Sequence, residues 1–281
     1  MTTTMTTITR GTPAAMKTPR VLRAFRHARR APEVLRCIRH SRDWPALVGG
    51  YLGLKAPSYP RDFRTPAGDV LTLREYHDLV TVWIIFFRHE YPVDPSCRTI
   101  VDAGANIGAF SLYAARAAPA AEVIALEPFP ETLGRLEAHV ARNGLGNRIR
   151  CRPWALSSAD GTRNMNDAEG PSQSRGMYRA DHSRVEQGGL PVEAITLATL
   201  WAREGIDRVD LLKMDIEGSE HDVLGAAAPE DLRRVGALAL EYHPNAPKGP
   251  LFDRIRDAGF TLAGDAEIAR GSGTAYFRLQ P

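Results

Sequence analysis

Apolar positions along this chain switch between two periods. Short runs rich in Val, Ile, Leu and Ala stand apart from longer stretches in which apolar residues recur at helical spacing. The runs Thr99–Asp102, Glu122–Glu127, Ile149–Trp154, Val209–Met214 and Val235–Tyr242 predict buried strands. Helices are expected over Ala109–Ala117, Pro130–Arg142, Thr196–Arg203, Ser219–Ala226 and Leu251–Ala258. Strands separated by helices make right-handed β-α-β units, hence an α/β fold with a mostly parallel sheet. Phe260–Ala263 and Thr274–Leu279, joined around Gly271-Ser-Gly273, predict a closing antiparallel hairpin.

Upstream of that core the pattern is less regular. Asp62–Arg74 reads as a hairpin with Pro66-Ala-Gly-Asp69 as its turn, and Glu75–Glu90 as a helix rich in large apolar residues. Pro19–Arg42 is helical in pattern, with Pro32 separating two helices. Trp44–Leu54 is an apolar segment suited to docking this head onto the core. Met1–Thr18 is Thr-rich and expected to be disordered. Ser157–Leu190 is polar and aperiodic, either a mobile loop or a small hairpin insertion beside the functional site. The expected organisation is a tail over 1–18, a basic helical extension over 19–60 and a catalytic domain over 61–281.

Four strand ends carry chemistry. The first strand runs through Val101-Asp102 into Ala103-Gly104-Ala105-Asn106-Ile107-Gly108 and then into helix formers. A strand, a glycine turn and a helix in that order build nucleotide sites at the carboxyl edge of a parallel sheet. The second strand ends at Glu127-Pro128, where an acid can accept hydrogen bonds from both hydroxyls of a ribose. The fourth breaks into Lys213-Met-Asp215-Ile-Glu217-Gly-Ser-Glu220, which sets three carboxylates and one Lys at the same edge. The fifth runs into Glu241-Tyr-His243.

Together, Val101–Gly108 with its Asp then Gly-x-x-x-Gly spacing, Glu127-Pro128, Leu212–Glu220 and Glu241-Tyr-His243 resemble the FkbM family of S-adenosylmethionine (SAM) methyltransferases, over roughly Leu71 to Arg278. Phe129 departs from the family pattern, standing where a small residue is common. The resemblance implies a class I, Rossmann-like fold with seven strands and a C-terminal antiparallel hairpin, SAM as cofactor and S-adenosylhomocysteine (SAH) as product. It implies a cofactor set of Asp102, Gly104, Ala105, Asn106, Gly108, Glu127, Pro128, Phe129, Ala155, Leu156 and Asp215. In that set Gly104 and Gly108 admit the cofactor where a side chain would collide. Asp102 orients the loop or reaches the methionyl ammonium. Asn106 tolerates a left-handed backbone. Phe129 packs on the adenine or in the core. The helix 75–90 is expected to close over the methionine end.

Methyl transfer requires alignment, exclusion of water and removal of a proton from the acceptor. The candidates for that proton are His243, Glu217 and Asp215, with His243 leading because imidazole titrates near neutrality. Asp215, Glu217, Glu220, His221 and His243 could form an oxygen-rich metal site, but their spacing is no recognised metal signature, and no metal is expected.

Composition narrows the class. The chain has 281 residues, 43% hydrophobic and 25% charged, ordinary globular usage with material for a full core. Its longest apolar run, Leu79–Phe87, is nine residues, too short to span a membrane. Three scattered cysteines make neither a disulfide framework nor a zinc pattern, which points to a reducing cytoplasm. Net charge is +3, but residues 1–42 hold nine Arg and one Lys against Glu33, giving +9 there and −6 in the rest. Three readings compete for that head: a solvated helical extension, a contact for nucleic acid or an anionic surface, and a transit peptide.

The expected activity is O-methylation of a hydroxyl on a sugar, glycolipid or polyketide-type natural product. An amide or carbamate nitrogen is the alternative acceptor. A nucleic-acid methyltransferase clamped by the head lacks its Asn/Asp-Pro-Pro-aromatic box, and a nicotinamide oxidoreductase fails on glycine spacing. The expected partner is a small-molecule acceptor, with no nucleic acid, and the head serves substrate enclosure or self-association as a homodimer.

Overall fold

A computed structural model of the chain describes residues 30–55, 57–166, 188–244 and 246–280. The tail over 1–18 and the first part of the head lie outside the described residues.

The core is a seven-stranded sheet. Its central strands are β3 (Thr99–Ala103), β4 (Glu122–Leu126), β5 (Ile149–Arg152), β9 (Val209–Met214) and β10 (Val235–Tyr242). The long hairpin of β11 (Phe260–Ala269) and β12 (Ser272–Leu279) completes it, in the order β11-β12-β10-β9-β3-β4-β5. Neighbouring central strands pair in parallel, and β12 is antiparallel to both its neighbours. The seven-stranded expectation with a closing hairpin holds, although β11 runs well past the predicted Ala263.

The near-continuous apolar runs follow from burial on both faces. Along β3, Ile100 joins one core with Ala125 and Leu211, while Val101 joins the other with Leu126 and Leu212, as the two-residue period of a strand requires. Helices α4 (Ala109–Ala117) and α5 (Pro130–Arg142) carry the crossovers from β3 to β4 to β5. The chain then returns to lay β9 on the other side of β3. That reversal is the switch point at which open α/β sheets bind ligands beyond their carboxyl ends.

The third predicted strand is broken. Pro153 follows β5, and because proline offers no N–H to the ladder the chain leaves the main sheet there. It continues as β6 (Trp154–Leu156) in a separate three-stranded sheet with β7 (Gly161–Met165) and β8 (Leu190–Ile195). The pairing of β7 with β8 is antiparallel, so the polar segment carries a hairpin insertion. Residues 167–187 between those strands lie outside the described residues.

The head packs on one side. Helix α1 (Ala31–His40) has Pro32 in its first turn, a position that needs no N–H, so this proline opens a helix within the described residues. Helix α2 (Trp44–Tyr51) buries Leu47, Val48 and Tyr51. The hairpin of β1 (Arg61–Arg64) and β2 (Val70–Leu73) precedes helix α3 (Tyr76–Trp83), which widens into a π-turn over Ile84–Arg88 and stops at His89 with φ 58°. Tyr51 stacks on Trp83 at a ring separation of 4.0 Å, and the Trp83 indole N–H donates to Glu33 at 2.6 Å. The apolar segment thus fastens the head to α3, the helix that borders the cavity described below.

Truncating Tyr51→Ala empties a buried aromatic site and should lower unfolding stability by about 3 kcal/mol. A urea melt reads this directly; an unchanged midpoint would show that the head does not support α3.

Candidate active site

The loop after β3 is shaped by a backbone contact. Gly104 has φ +75°, and a Cβ there would lie 1.8 Å from the Asp215 carbonyl oxygen. At Gly108 (φ +87°) the obstacle is Leu136 Cδ1, at 2.5 Å. Both glycines are therefore required by the protein's own packing, before any ligand is considered. This adds an internal constraint to the expected clearance for the cofactor. The Gly104 and Ala105 N–H groups both donate to the Leu126 carbonyl, at 3.1 and 2.9 Å, and the Asp215 N–H donates to Ala103 at 3.1 Å. The loops that follow β3, β4 and β9 are thereby held together. Asn106 takes φ 50°, the left-handed conformation expected of it.

Glu127 is buried at the end of β4. Its Oε2 accepts from the Asn106 N–H at 2.9 Å and its Oε1 from the Phe129 N–H at 3.0 Å. Burial pushes its carboxyl up to about 7, against those two hydrogen bonds and the Lys213 charge, which hold it down. Asn106 Oδ1 is also buried, with no hydrogen-bond partner among the described residues.

Lys213 is buried behind the loop. Its ammonium lies 3.1 Å from Asp102 Oδ1 and 3.7 Å from Asp215 Oδ2, and donates to the Gly104 carbonyl at 2.9 Å. Burial opposes this charge, but Asp102 and Asp215 outweigh it, and the net effect raises the Lys213 pKa. Asp102 accepts from Ser111 at 2.6 Å and is fully buried. It is tied to the loop through Lys213 and is not among the residues that line the cavity described below.

The ends of β9 and β10 supply an acidic cluster. His243 Nε2 stands 3.7 Å from Glu217 and 3.9 Å from Glu241, and its Nδ1 stands 3.6 Å from Glu220. Burial works against the imidazolium, yet contact with Glu220, Glu241 and Glu217 reverses that and lifts His243 to about 10. Burial and Asp215 push Glu217 and Glu241 upward. Glu217 holds φ 55°, a backbone region that non-glycine residues rarely adopt and that concentrates at functional sites. The Tyr91 hydroxyl lies 3.5 Å from both Asp215 and Glu241.

These groups border one cavity of about 380 Å³. Of the expected cofactor residues, Gly104, Ala105, Asn106, Glu127, Pro128, Phe129, Ala155, Leu156 and Asp215 line it, as do Glu217 and His243. Asp102 and Gly108 do not. Phe129 lines the cavity and also packs with Ala155 and Met165 in a small buried cluster, so both readings of it apply. Sequence reasoning missed Tyr91, Trp154, Met165 and the acid role of Glu241. Glu241 was discoverable, since the two-residue period of β10 sets it on the side of His243. Tyr91 lies outside any strand and carries no such signal.

The sheet order, the glycine turn at the switch point and an anchored acid at the end of the next strand define a class I methyltransferase fold. A family model, the methyltransferase FkbM domain, matches residues 102–262, and the chain belongs to this family of SAM-dependent methyltransferases. It is 30% identical over 210 residues to methyltransferase sdnD of Sordaria araneosa, covering 64% of this chain and 81% of that protein. It is 27% identical over 210 residues to the 31-O-demethyl-FK506 methyltransferase FkbM of Streptomyces tacrolimicus, covering 65% and 79%. Similarity to the 2-O-methyltransferase NoeI of Sinorhizobium fredii is 24% over 155 residues, covering 51% and 62%. The residues present fit SAM: a carboxylate fixed by two backbone amides, an orphaned amide oxygen at Asn106 and an acidic far end suited to a sulfonium cation. No helix among the described residues is long and apolar enough to cross a membrane.

Glu127→Gln should weaken SAH binding by about 1.5–3 kcal/mol, the scale of a hydrogen bond to a charged group. A ribose diol donates to the ionised carboxylate. Because Glu127 holds its proton below about 7 without ligand, SAH affinity should fall as pH drops through that value. Glu127→Gln should flatten this dependence in calorimetry; equal affinity and an equal pH profile in the two proteins would remove Glu127 from the site.

Proposed function

We propose that the chain methylates a hydroxyl oxygen of a small natural-product acceptor, with Glu217 as the proton acceptor. The observation that carries this reading is the convergence of Glu217, Glu241, Asp215 and His243 at one end of the cavity that Glu127 and Asn106 border. The names of the FkbM and NoeI relatives, both O-methyltransferases, favour oxygen over an amide nitrogen. A cavity edged by carboxylates also repels a phosphate backbone, which favours a small molecule over nucleic acid.

SAM supplies an electrophilic methyl on a sulfonium. As the acceptor oxygen forms its bond to that methyl, the hydroxyl proton must go to a nearby base. His243 is poorly suited to this step. Three carboxylates keep it protonated, so it has no lone pair to offer at neutral pH. This revises the expectation that His243 leads. Glu217 stands 3.7 Å from the imidazolium, and burial with Asp215 lifts its carboxyl to about 8, so its ionised form is a stronger base than an ordinary carboxylate and becomes populated as pH rises toward that value. His243 then balances the charge of the cluster.

Glu217→Gln should lower kcat by about 10²–10⁴, the usual contribution of a general base, with SAH affinity near normal. The measurement is transfer of labelled methyl from SAM to a panel of polyhydroxylated macrolides and sugars, compared with amide acceptors. Turnover of Glu217→Gln at the parent rate would reject this base, and transfer confined to amides would reject oxygen as the acceptor atom.

A further inference from the structure

We infer that Asp215, Glu241 and His243 bind one divalent cation, Mg²⁺ or Mn²⁺, at the acidic end of the cavity. The role of the ion toward an acceptor hydroxyl rests on the methyltransferase reading above; the ion site itself stands on geometry. One ligand atom from each of the three residues lies within 4.8 Å of the other two. Bonds of about 2.1 Å to a shared ion place ligand atoms about 3–4 Å apart, so small side-chain rotations close the set. The residues come from the ends of two adjacent parallel strands, β9 and β10, whose register the sheet fixes.

The second observation is Glu220. It is fully buried, and its Oε1 accepts from the Ile216 N–H at 2.8 Å. Its Oε2 has no hydrogen-bond partner among the described residues, and it faces His243 Nδ1 at 3.6 Å. A buried carboxylate behind one imidazole nitrogen orients the ring so that the other nitrogen ligates, the arrangement found behind metal-bound histidines. Here Nε2 is the nitrogen turned toward Glu241. Any proton on Nε2 leaves as the ion enters.

Carboxylate oxygens with a single imidazole, and no thiolate, suit Mg²⁺ or Mn²⁺. Lys213 is the nearest fixed cation, 3.7 Å from Asp215, and is already paired with Asp102 at 3.1 Å. Three protein ligands leave coordination positions for water and for the acceptor oxygen. Ligation lowers the pKa of a bound hydroxyl. Its proton passes to Glu217 while the oxygen–methyl bond forms and the sulfur–methyl bond breaks, leaving SAH, a methyl ether and one proton.

The test is titration of the chelator-stripped full chain with Mn²⁺, followed by electron paramagnetic resonance, with SAH binding measured on the same stripped protein. One Mn²⁺ per chain is expected. Glu241→Gln should lose the site, and Glu220→Gln, which keeps an acceptor for the Ile216 N–H, should bind Mn²⁺ about 10–100-fold more weakly. Melting curves establish that both variants fold. Stripped protein that binds SAH but takes up no Mn²⁺ at millimolar concentration overturns the proposal while leaving the methyltransferase reading intact. Parent-like Mn²⁺ binding in both variants also overturns it. Mn²⁺ uptake lost as expected in a protein that never binds SAH supports the ion site and counts against the methyltransferase reading instead.

Discussion

The site depends on one close approach, between Gly104 and the backbone carbonyl of Asp215. At the switch point of the sheet the loops after β3 and β9 pass so near each other that a single Cβ at Gly104 would occupy the carbonyl's place. Everything else follows from that proximity. The Asp215 N–H reaches Ala103, and Lys213 reaches both Asp102 and the Gly104 carbonyl. The Leu126 carbonyl draws in the third loop, which carries Glu127. Glu127 and Asp215 thus border the same cavity on loops joined by backbone hydrogen bonds.

Charge is the second organising constraint. Asp102, Asp215, Glu217, Glu220 and Glu241 crowd around two basic groups, Lys213 and His243. Buried carboxylates without enough counter-charge hold protons more tightly, and a buried base between carboxylates does the same. This explains why Glu217, Glu241 and His243 all hold their protons more tightly than the free groups do. Glu217 and Gly218 both hold positive φ in the turn after β9, and Glu217 lines the cavity from there.

Much of the fold was legible because the parallel strands are buried on both faces and read as apolar runs. The order of elements, the glycine turn, Glu127 and the hairpin closure all followed from that pattern. Pro153 ended β5 early by a rule visible in the sequence, and a hairpin insertion was one of two readings of the polar segment, but its pairing with β6 into a separate sheet was not legible because that segment has no regular period. The short helix over Pro229–Leu232 also escaped notice. At the site, residue types could be read but not their pairing. His243 reads as a group that titrates near neutrality, and only three-dimensional contact with Glu217, Glu220 and Glu241 shows that its pKa is raised. The role of Asp102 behind Lys213, rather than in the cavity, is likewise a fact of packing that spacing does not carry.

The central claim is that the cavity holds the cofactor with its ribose at Glu127 and its sulfur toward the cluster at the ends of β9 and β10. A crystal structure of the full chain with SAH bound tests it most directly. The account predicts both ribose hydroxyls within hydrogen-bond distance of the Glu127 carboxylate, and the sulfur on the side of Glu217, Glu241 and His243. SAH bound with its ribose away from Glu127, or with its sulfur directed away from that cluster, would contradict it.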